Sequence, residues 1–563
     1  MLTRGNLENG RLFWLLTLEV RGRAYRFSTG PLAVDNADEL QGPPVLQFLS
    51  GLEFLEYEDT IGLFDSEASS REVSVSVLFQ QGQAEGWTAI SDTARDVGTA
   101  RGELALHLAG QDFTDREIVV SGYLGSPTHG SRFEPVEFTI TESDWADPAL
   151  LPPVEAKVRK ATWPKTIAGG NTMRRADKAK GQPYPWIFGE PGSEPPAEWW
   201  GRGSAKMAMT PGLLVKIDTD DEDNLTNAAT VLLCGHSAYL PPAPTVHIYN
   251  ETTDRWFSAV PAYAADDRGR TVTTITATAA SSAGNKYIEP GHGLWVAWTG
   301  AGGVPNRHET GPLIGAGEII DYLLGFSMLR VDTLRARATL LEVDAFALDF
   351  WINESRAPFD IIKEDILPLL PLSPQIRQEG LGFVYWRWDA VAADAVDTLD
   401  IGQELGERTS PVQVSAIEDV YNTVRIDYCQ DGPEGDFRKS LTYSHANPHS
   451  DEEITVNPYS WASFTRYGKR EGLVIEAPIV ERDDTARSIL DWKLHYHSQT
   501  HRTVSYRMPQ AWQAREVGDV ITVTDPDIGW TAVVCLITQI VRVPGYTDLT
   551  VTTVSDWIRD LAK

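Results

Sequence analysis

Three cysteines among 563 residues is the first shortage. Cys234, Cys429 and Cys535 stand far apart in apolar, strand-like surroundings, without metal or redox spacing, and are expected to be buried and reduced. Long apolar runs are also missing. Leu12 to Leu16 is too short for a signal or a span, and no other stretch approaches the roughly 18 residues that a membrane helix needs. Phosphate-binding loops are absent, because no G-x-x-x-x-G-K-[ST] occurs. Gly315-Ala316-Gly317 is only a G-x-G, and no G-x-S-x-G elbow exists, although a Ser-His-Asp triad could be assembled from distant residues. Bases are scarce: 49 Lys plus Arg face 79 Asp plus Glu, a formal charge of −30. That balance argues against wrapping nucleic acid, which needs clustered cations. It is compatible with a passage whose acidic wall repels phosphate, and also with simple solubility.

Apolar residues are plentiful, at 42% with 18 Trp, enough for packed cores. The length suits roughly three to five domains at ~100–200 residues each. Residues 1–150 read as an N-terminal β domain, with strands at Leu12 to Val20, Ala24 to Ser28, Arg71 to Phe79, Glu103 to Leu108 and Val136 to Ile140. Residues 151–204 form a Pro- and Trp-rich stretch with basic clusters at Lys157 to Lys165 and Arg174 to Lys180. It is expected to be an extended arm lying across a neighbouring domain or subunit. Trp163, Trp186, Trp199 and Trp200 are its candidate docking residues, since a solvated linker rarely carries four large aromatics. An accessory β domain is expected at 205–310 and an α+β domain at 311–400. The latter holds a helix over Ile314 to Gly325, a strand over Val343 to Ile352, and a helix capped by Ser355 and opened by Pro358. Residues 401–480 read as β-rich, and 481–563 as a helix followed by a C-terminal β-barrel. The fold class is therefore mainly β with some α, multidomain, built from β-sandwich or barrel modules and a few short helices.

Few constellations suggest chemistry. His497 and His501 have the i, i+4 spacing of metal ligands on a helix, but lack the glutamate of a metalloprotease motif; a solvated helix end is the plainer reading. Asp218 to Asn224 superficially resembles a calcium loop, yet Asp223 and Ala229 occupy the positions that should hold Gly and Glu. Glu194, Glu198, Trp199 and Trp200 could flank a glycan cleft, and Trp386 and Trp388 share one strand face; core or interface packing is the simpler account. No catalytic, cofactor or metal residue is assigned.

The C-terminal stretch gives the clearest pattern. Asp483 to Leu494 places Ala486, Ile489, Leu490 and Leu494 on one helical face, and alternating strands follow from Arg502, Val520, Ala532 and Leu549. Glu516-Val517-Gly518-Asp519-Val520-Ile521-Thr522-Val523-Thr524-Asp525 is a turn leading into a strand. With Asn422 to Tyr428, Asp360 to Leu372 before Leu381 to Tyr385, and Gln182 to Gly189, this order resembles phage tail hub and tail-tip proteins. The resemblance implies tube-type β-barrels and a structural role without catalysis or cofactors. It implies a homotrimer that closes the distal end of a tail tube and joins the distal tail ring to tip or receptor-binding proteins. Tail-tube and tape measure proteins would be neighbours, and DNA would pass without specific binding. The place implied is the virion tail tip, after assembly in the host cytoplasm. Val520 and Val523 join the four tryptophans as candidate assembly residues. A tail-associated glycan hydrolase and a receptor-binding adhesin are the alternatives.

Overall fold

Alternation builds the first sheet. Along Leu12–Val20, Trp14, Leu16, Leu18 and Val20 enter one core, while Leu15 enters a second on the opposite face, as a period of two requires. The computed structural model describes residues 12–20, 23–35, 45–50, 52–54, 57–60, 72–78, 100–125, 128–129, 135–141, 150–153, 156–157, 181–190, 210–219, 225–240, 245–253, 255–265, 270–278, 288, 293–299, 304–305, 311–327, 331, 333–377, 380–403, 406–430, 435–446, 454–543 and 545–554. Within these, Leu12–Val20 lies between Arg23–Ser28 and Arg101–Leu108 in a ten-stranded sheet. Every strand expected between 1 and 150 is present, shifted by no more than two residues at either end.

A seven-stranded antiparallel sheet occupies 210–299, in the order Thr210–Pro211, Leu294–Thr299, Thr245–Asn250, Arg255–Ala265, Thr271–Thr278, Leu225–Cys234, Leu213–Thr219. It has its own core of Val231, Leu233, Ile248, Ile275 and Val296. A larger core extends from Leu151 to Val554. Between the two lies a ribbon of two short antiparallel strands, Trp186–Phe188 and Phe350–Ile352. Trp186, Phe188, Phe350 and Ile352 face the larger core, whereas Ile187 and Trp351 face that of the seven-stranded sheet. Strand alternation thus lets one ribbon serve two cores.

Helices α1 (Ala316–Leu324) and α2 (Thr333–Leu341) pack beside this ribbon. A methyl group at Gly317 would land on the Leu340 carbonyl, so glycine permits their close approach. The strand expected from Val343 is corrected: the chain finishes α2, turns over 342–345, bridges to Gly315 at Ala347 and forms a strand only at Phe350–Ile352. Val343 is fully buried, but it packs at a helix end, donating its N–H to the Leu340 carbonyl. Helix α3 (Pro358–Ile361) is preceded by Ala357, with no side-chain cap, so Ser355 does not act as expected. Pro358 has no N–H to satisfy at the first helical position.

Helix α4 (Pro458–Tyr467) falls in the stretch read as β-rich. The Asn457 side chain accepts the Tyr459 N–H at 2.9 Å, and Gly468 ends the helix at φ +72°. Helix α5 runs Asp483–His497, one turn longer than its apolar stripe indicated, and buries Ala486, Ile489, Leu490, Trp492 and Leu494. Each large apolar side chain buried there contributes about 1.5–3 kcal/mol. Helix α5 lies against the four-stranded sheet Ile454–Val456, Phe437–Ser444, Thr423–Gln430, Glu471–Ala477.

The C-terminal sheet has the path Asp397–Asp400, Val520–Asp525, Trp530–Val543, Tyr546–Thr553, Arg502–Pro509, Glu407–Arg408. Gln413–Val414 adds to Arg502–Pro509, and Tyr57–Thr60 from the N-terminal region continues the edge of Trp530–Val543. All four strands expected after α5 are present. The architecture is mainly β, with curled half-barrel sheets and few short helices.

Candidate assembly interface

The C-terminal sheet closes by chemistry as well as by curvature. Asp525, at the end of Val520–Asp525, is 1% exposed. It accepts the Tyr506 hydroxyl at 3.2 Å and pairs with Arg408 at 3.3 Å, although both partners lie at the other end of the strand path. Burial and the facing carboxylate push the Tyr506 pKa well up, so the phenol keeps its proton and donates it. Gly518, at φ +91°, turns the chain into Val520–Asp525 and donates to the Ile537 carbonyl at 2.8 Å.

A strap from 391 to 419 crosses this seam. It pairs parallel with Val520–Asp525 through Asp397–Asp400, then antiparallel with Arg502–Pro509 through Glu407–Arg408 and Gln413–Val414. It thereby covers both edges of the four-stranded meander. Its outward side carries apolar residues: Val396 is 54% exposed and Val414 57%, with Val391 and Ile417 also exposed. Sequence reading missed this surface, since isolated valines among acids carry no period.

Helix α5 is fastened to the four-stranded sheet by polar contacts. The Asp483 carboxylate accepts from Tyr428 at 3.0 Å and from Lys439 at 2.8 Å. Burial works against this carboxylate, but the ammonium and the hydroxyl outweigh it and hold its pKa below the usual range. Arg482 joins Glu190 at 3.2 Å and Asp349 at 3.5 Å, linking the arm to the start of α5. Burial raises the Asp349 pKa despite that guanidinium.

The ribbon holds the seven-stranded sheet differently. The Ile187 N–H donates to His236 Nε2 at 3.2 Å, so the Nδ1 proton goes to the Ser237 carbonyl at 3.1 Å. Gly235 donates to the Pro185 carbonyl at 2.8 Å, and Tyr184 packs into the sheet's core. Burial lowers the His236 pKa to about 4.

The candidate residues fall into two groups. Trp163, Trp199 and Trp200 lie outside the described residues, as do Glu194, Glu198 and most of the Asp218–Asn224 turn. Trp186, Val520 and Val523 are covered within their own chain: Trp186 lies among His236, Tyr322 and Phe326, and both valines are in the large core. Trp386 and Trp388 stack 6.3 Å apart, are 1% and 2% exposed, and line no open cleft. The i, i+4 helical spacing of His497 and His501 is not realised. Helix α5 ends at His497, and both His501 ring nitrogens face backbone carbonyls, of Thr553 at 2.9 Å and Tyr496 at 2.8 Å. Nor is that helix end a wet one: His497 is half-buried, Ser498, Gln499 and His501 are buried, and burial lowers the pKa of both histidines, His497 to about 4. Among the described residues, no group of three or more His, Cys, Asp or Glu could hold a metal ion. No described helix is long and apolar enough to cross a membrane.

What this geometry defines is a set of sheets held to one another, with an outward strap. Residues 375–540, spanning the strap, the four-stranded sheet, α5 and most of the C-terminal sheet, match a family model described as "Putative phage tail protein". That segment is thus similar to a phage tail protein domain, the class of protein expected from the sequence. No curated protein matches the chain. Similar solved structures include a chain of a native gene transfer agent particle virion, 10% identical, covering 70% of this chain and 90% of that one with a TM-score of 0.38. Another is a chain in a topological model of the p2 virion baseplate in its activated conformation, 12% identical, covering 66% and 99% with a TM-score of 0.16.

Proposed function

We propose that this chain is a trimeric tail hub, closing the distal end of a tail tube and joining the distal tail ring to tip or receptor-binding proteins. The observation that carries the reading is the construction of the matched segment. Two sheets share one core with α5, and the strap covers both edges of the C-terminal meander while keeping apolar residues outside. Covered edges suit a part that must not add strands indefinitely, and an apolar outer face suits a closed ring. Two such sheets per chain would present six modules around a threefold axis, the number needed to meet a sixfold ring. The work of such a hub is mechanical: it seals the tube, holds the tip proteins, and opens for the tape measure protein and DNA. The excess of acids, 79 against 49 bases, suits a passage that phosphate does not adhere to.

Mass in solution, combined with low-resolution images of the purified chain, tests this reading. A trimer with a threefold outline and an axial hole is expected. A compact monomer that turns over cell-wall polysaccharide would replace the hub with the hydrolase alternative.

A further inference from the structure

We infer that the strap at 391–419 is a docking surface for the basic segment 157–180 of a second copy of this chain. The inference rests on the self-assembly proposed above and names the contact that would serve it. The strap holds seven acids, Asp394, Asp397, Asp400, Glu404, Glu407, Glu418 and Asp419, against one base, Arg408. That base is turned inward onto buried Asp525. Asp397 is paired with Arg515, and Asp394 lies 3.9 Å from Arg387, whereas Glu407, Glu418 and Asp419 are exposed. Beside them stand Val414, 57% exposed, and Ile417. An acidic surface studded with apolar side chains selects a cationic partner that also carries apolar groups.

The chain is strongly acidic overall, and 157–180 reverses that balance. It has eight bases, Lys157, Arg159, Lys160, Lys165, Arg174, Arg175, Lys178 and Lys180, against Asp177 alone, with Trp163 and Ile167 between them. Its ends are fixed near one point, because Lys157 bridges to Pro183 and the Tyr184 N–H donates to the Ala156 carbonyl at 2.7 Å. Residues 158–180 run between these points. Fully extended, half of them reach roughly 35–40 Å, about the width of a small domain, enough to cross a subunit boundary.

Carbodiimide cross-linking of the full chain, co-assembled from equal amounts of ordinary and 15N-labelled copies, tests this contact. Links are expected between lysines of 157–180 and Glu407, Glu418 or Asp419, with about half joining differently labelled copies in a closed ring. Their yield should fall severalfold between 0.05 and 0.5 M salt, as screening shortens to a few ångströms. The double variant Val414→Ser, Ile417→Ser keeps every carboxylate and should also lose yield severalfold, with the circular dichroism spectrum unchanged. Absence of these links, links between same-label copies only, or a yield indifferent to the double variant would overturn the inference. A trimer by mass without the links sinks this contact and leaves the hub reading standing. A monomer removes the hub reading, and the contact between copies with it.

Discussion

The C-terminal sheet and the seven-stranded sheet are attached to the rest of the chain by opposite means. The first shares a continuous core with α5 and the four-stranded sheet, and its seam is drawn together by the Asp525 carboxylate between Tyr506 and Arg408. The second keeps a separate core and meets the body through a ribbon, with backbone bonds and one neutral histidine at the joint. A shared core makes two sheets one cooperative unit, whereas a ribbon lets two units open separately. The matched segment thus packs around one continuous core, and the seven-stranded sheet is attached to it through a two-stranded ribbon.

The largest expected effect attacks the shared core. Trp388→Ala removes a ring packed against Trp386, Tyr496 and His501 and should cost about 3–5 kcal/mol. Hydrogen exchange should accelerate together in α5, the four-stranded sheet and the C-terminal sheet, leaving residues 225–278 unchanged. Exchange rising equally in the seven-stranded sheet would erase the distinction. Asp525→Asn should cost about 2–3 kcal/mol, since it replaces a charged acceptor facing Arg408 and Tyr506; denaturant unfolding followed by tryptophan fluorescence would read it. A loss below 0.5 kcal/mol would mean that curvature alone closes the seam.

Acid should act on the joint. The folded pKa of His236, about 4, lies below the ordinary 6.5, so the unfolded chain binds more protons between those values. Stability from the neutral ring is present above about pH 6.5 and is lost as pH falls toward 4, by about 2 kcal/mol given a ring edge that keeps some solvent contact. The Ile187 amide should exchange progressively faster over that interval, and His236→Gln should flatten the profile. The smallest effect belongs to the partly exposed pair Arg507–Asp548, at 2.9 Å across neighbouring strands. Arg507→Ala should cost no more than about 0.5 kcal/mol. A larger loss in thermal unfolding would show that this outer face supports the sheet.

Much of the fold was legible where one physical signal dominated. The stripe Ala486, Ile489, Leu490, Leu494 marked α5, and the Gly518-Asp519 turn before Val520-Ile521-Thr522-Val523 marked the strand at Val520. Helix α4 had readable punctuation, Asn457-Pro458 at one end and Gly468 at the other, but its interior lacks a wide apolar stripe and it went unnoticed. Val343 misled because burial at a helix end and burial in a strand select the same side chain. The candidate interface was legible only as a class. Trp186 packs among His236, Tyr322 and Phe326 of its own chain; the outward valines of the strap became visible only once both of its pairings were in place.

Composition and periodicity determined that this chain is β-rich, strongly acidic, poor in cysteine and built from several cores, because these follow from side-chain chemistry and spacing counted along the backbone. Tertiary structure alone decided that Asp397 and Glu407 would lie on opposite edges of one sheet, that Trp186 and Ile187 would serve different cores, and that Asp525 would meet Arg408. Such pairings join residues up to more than a hundred positions apart, and local sequence carries no record of where the chain will return.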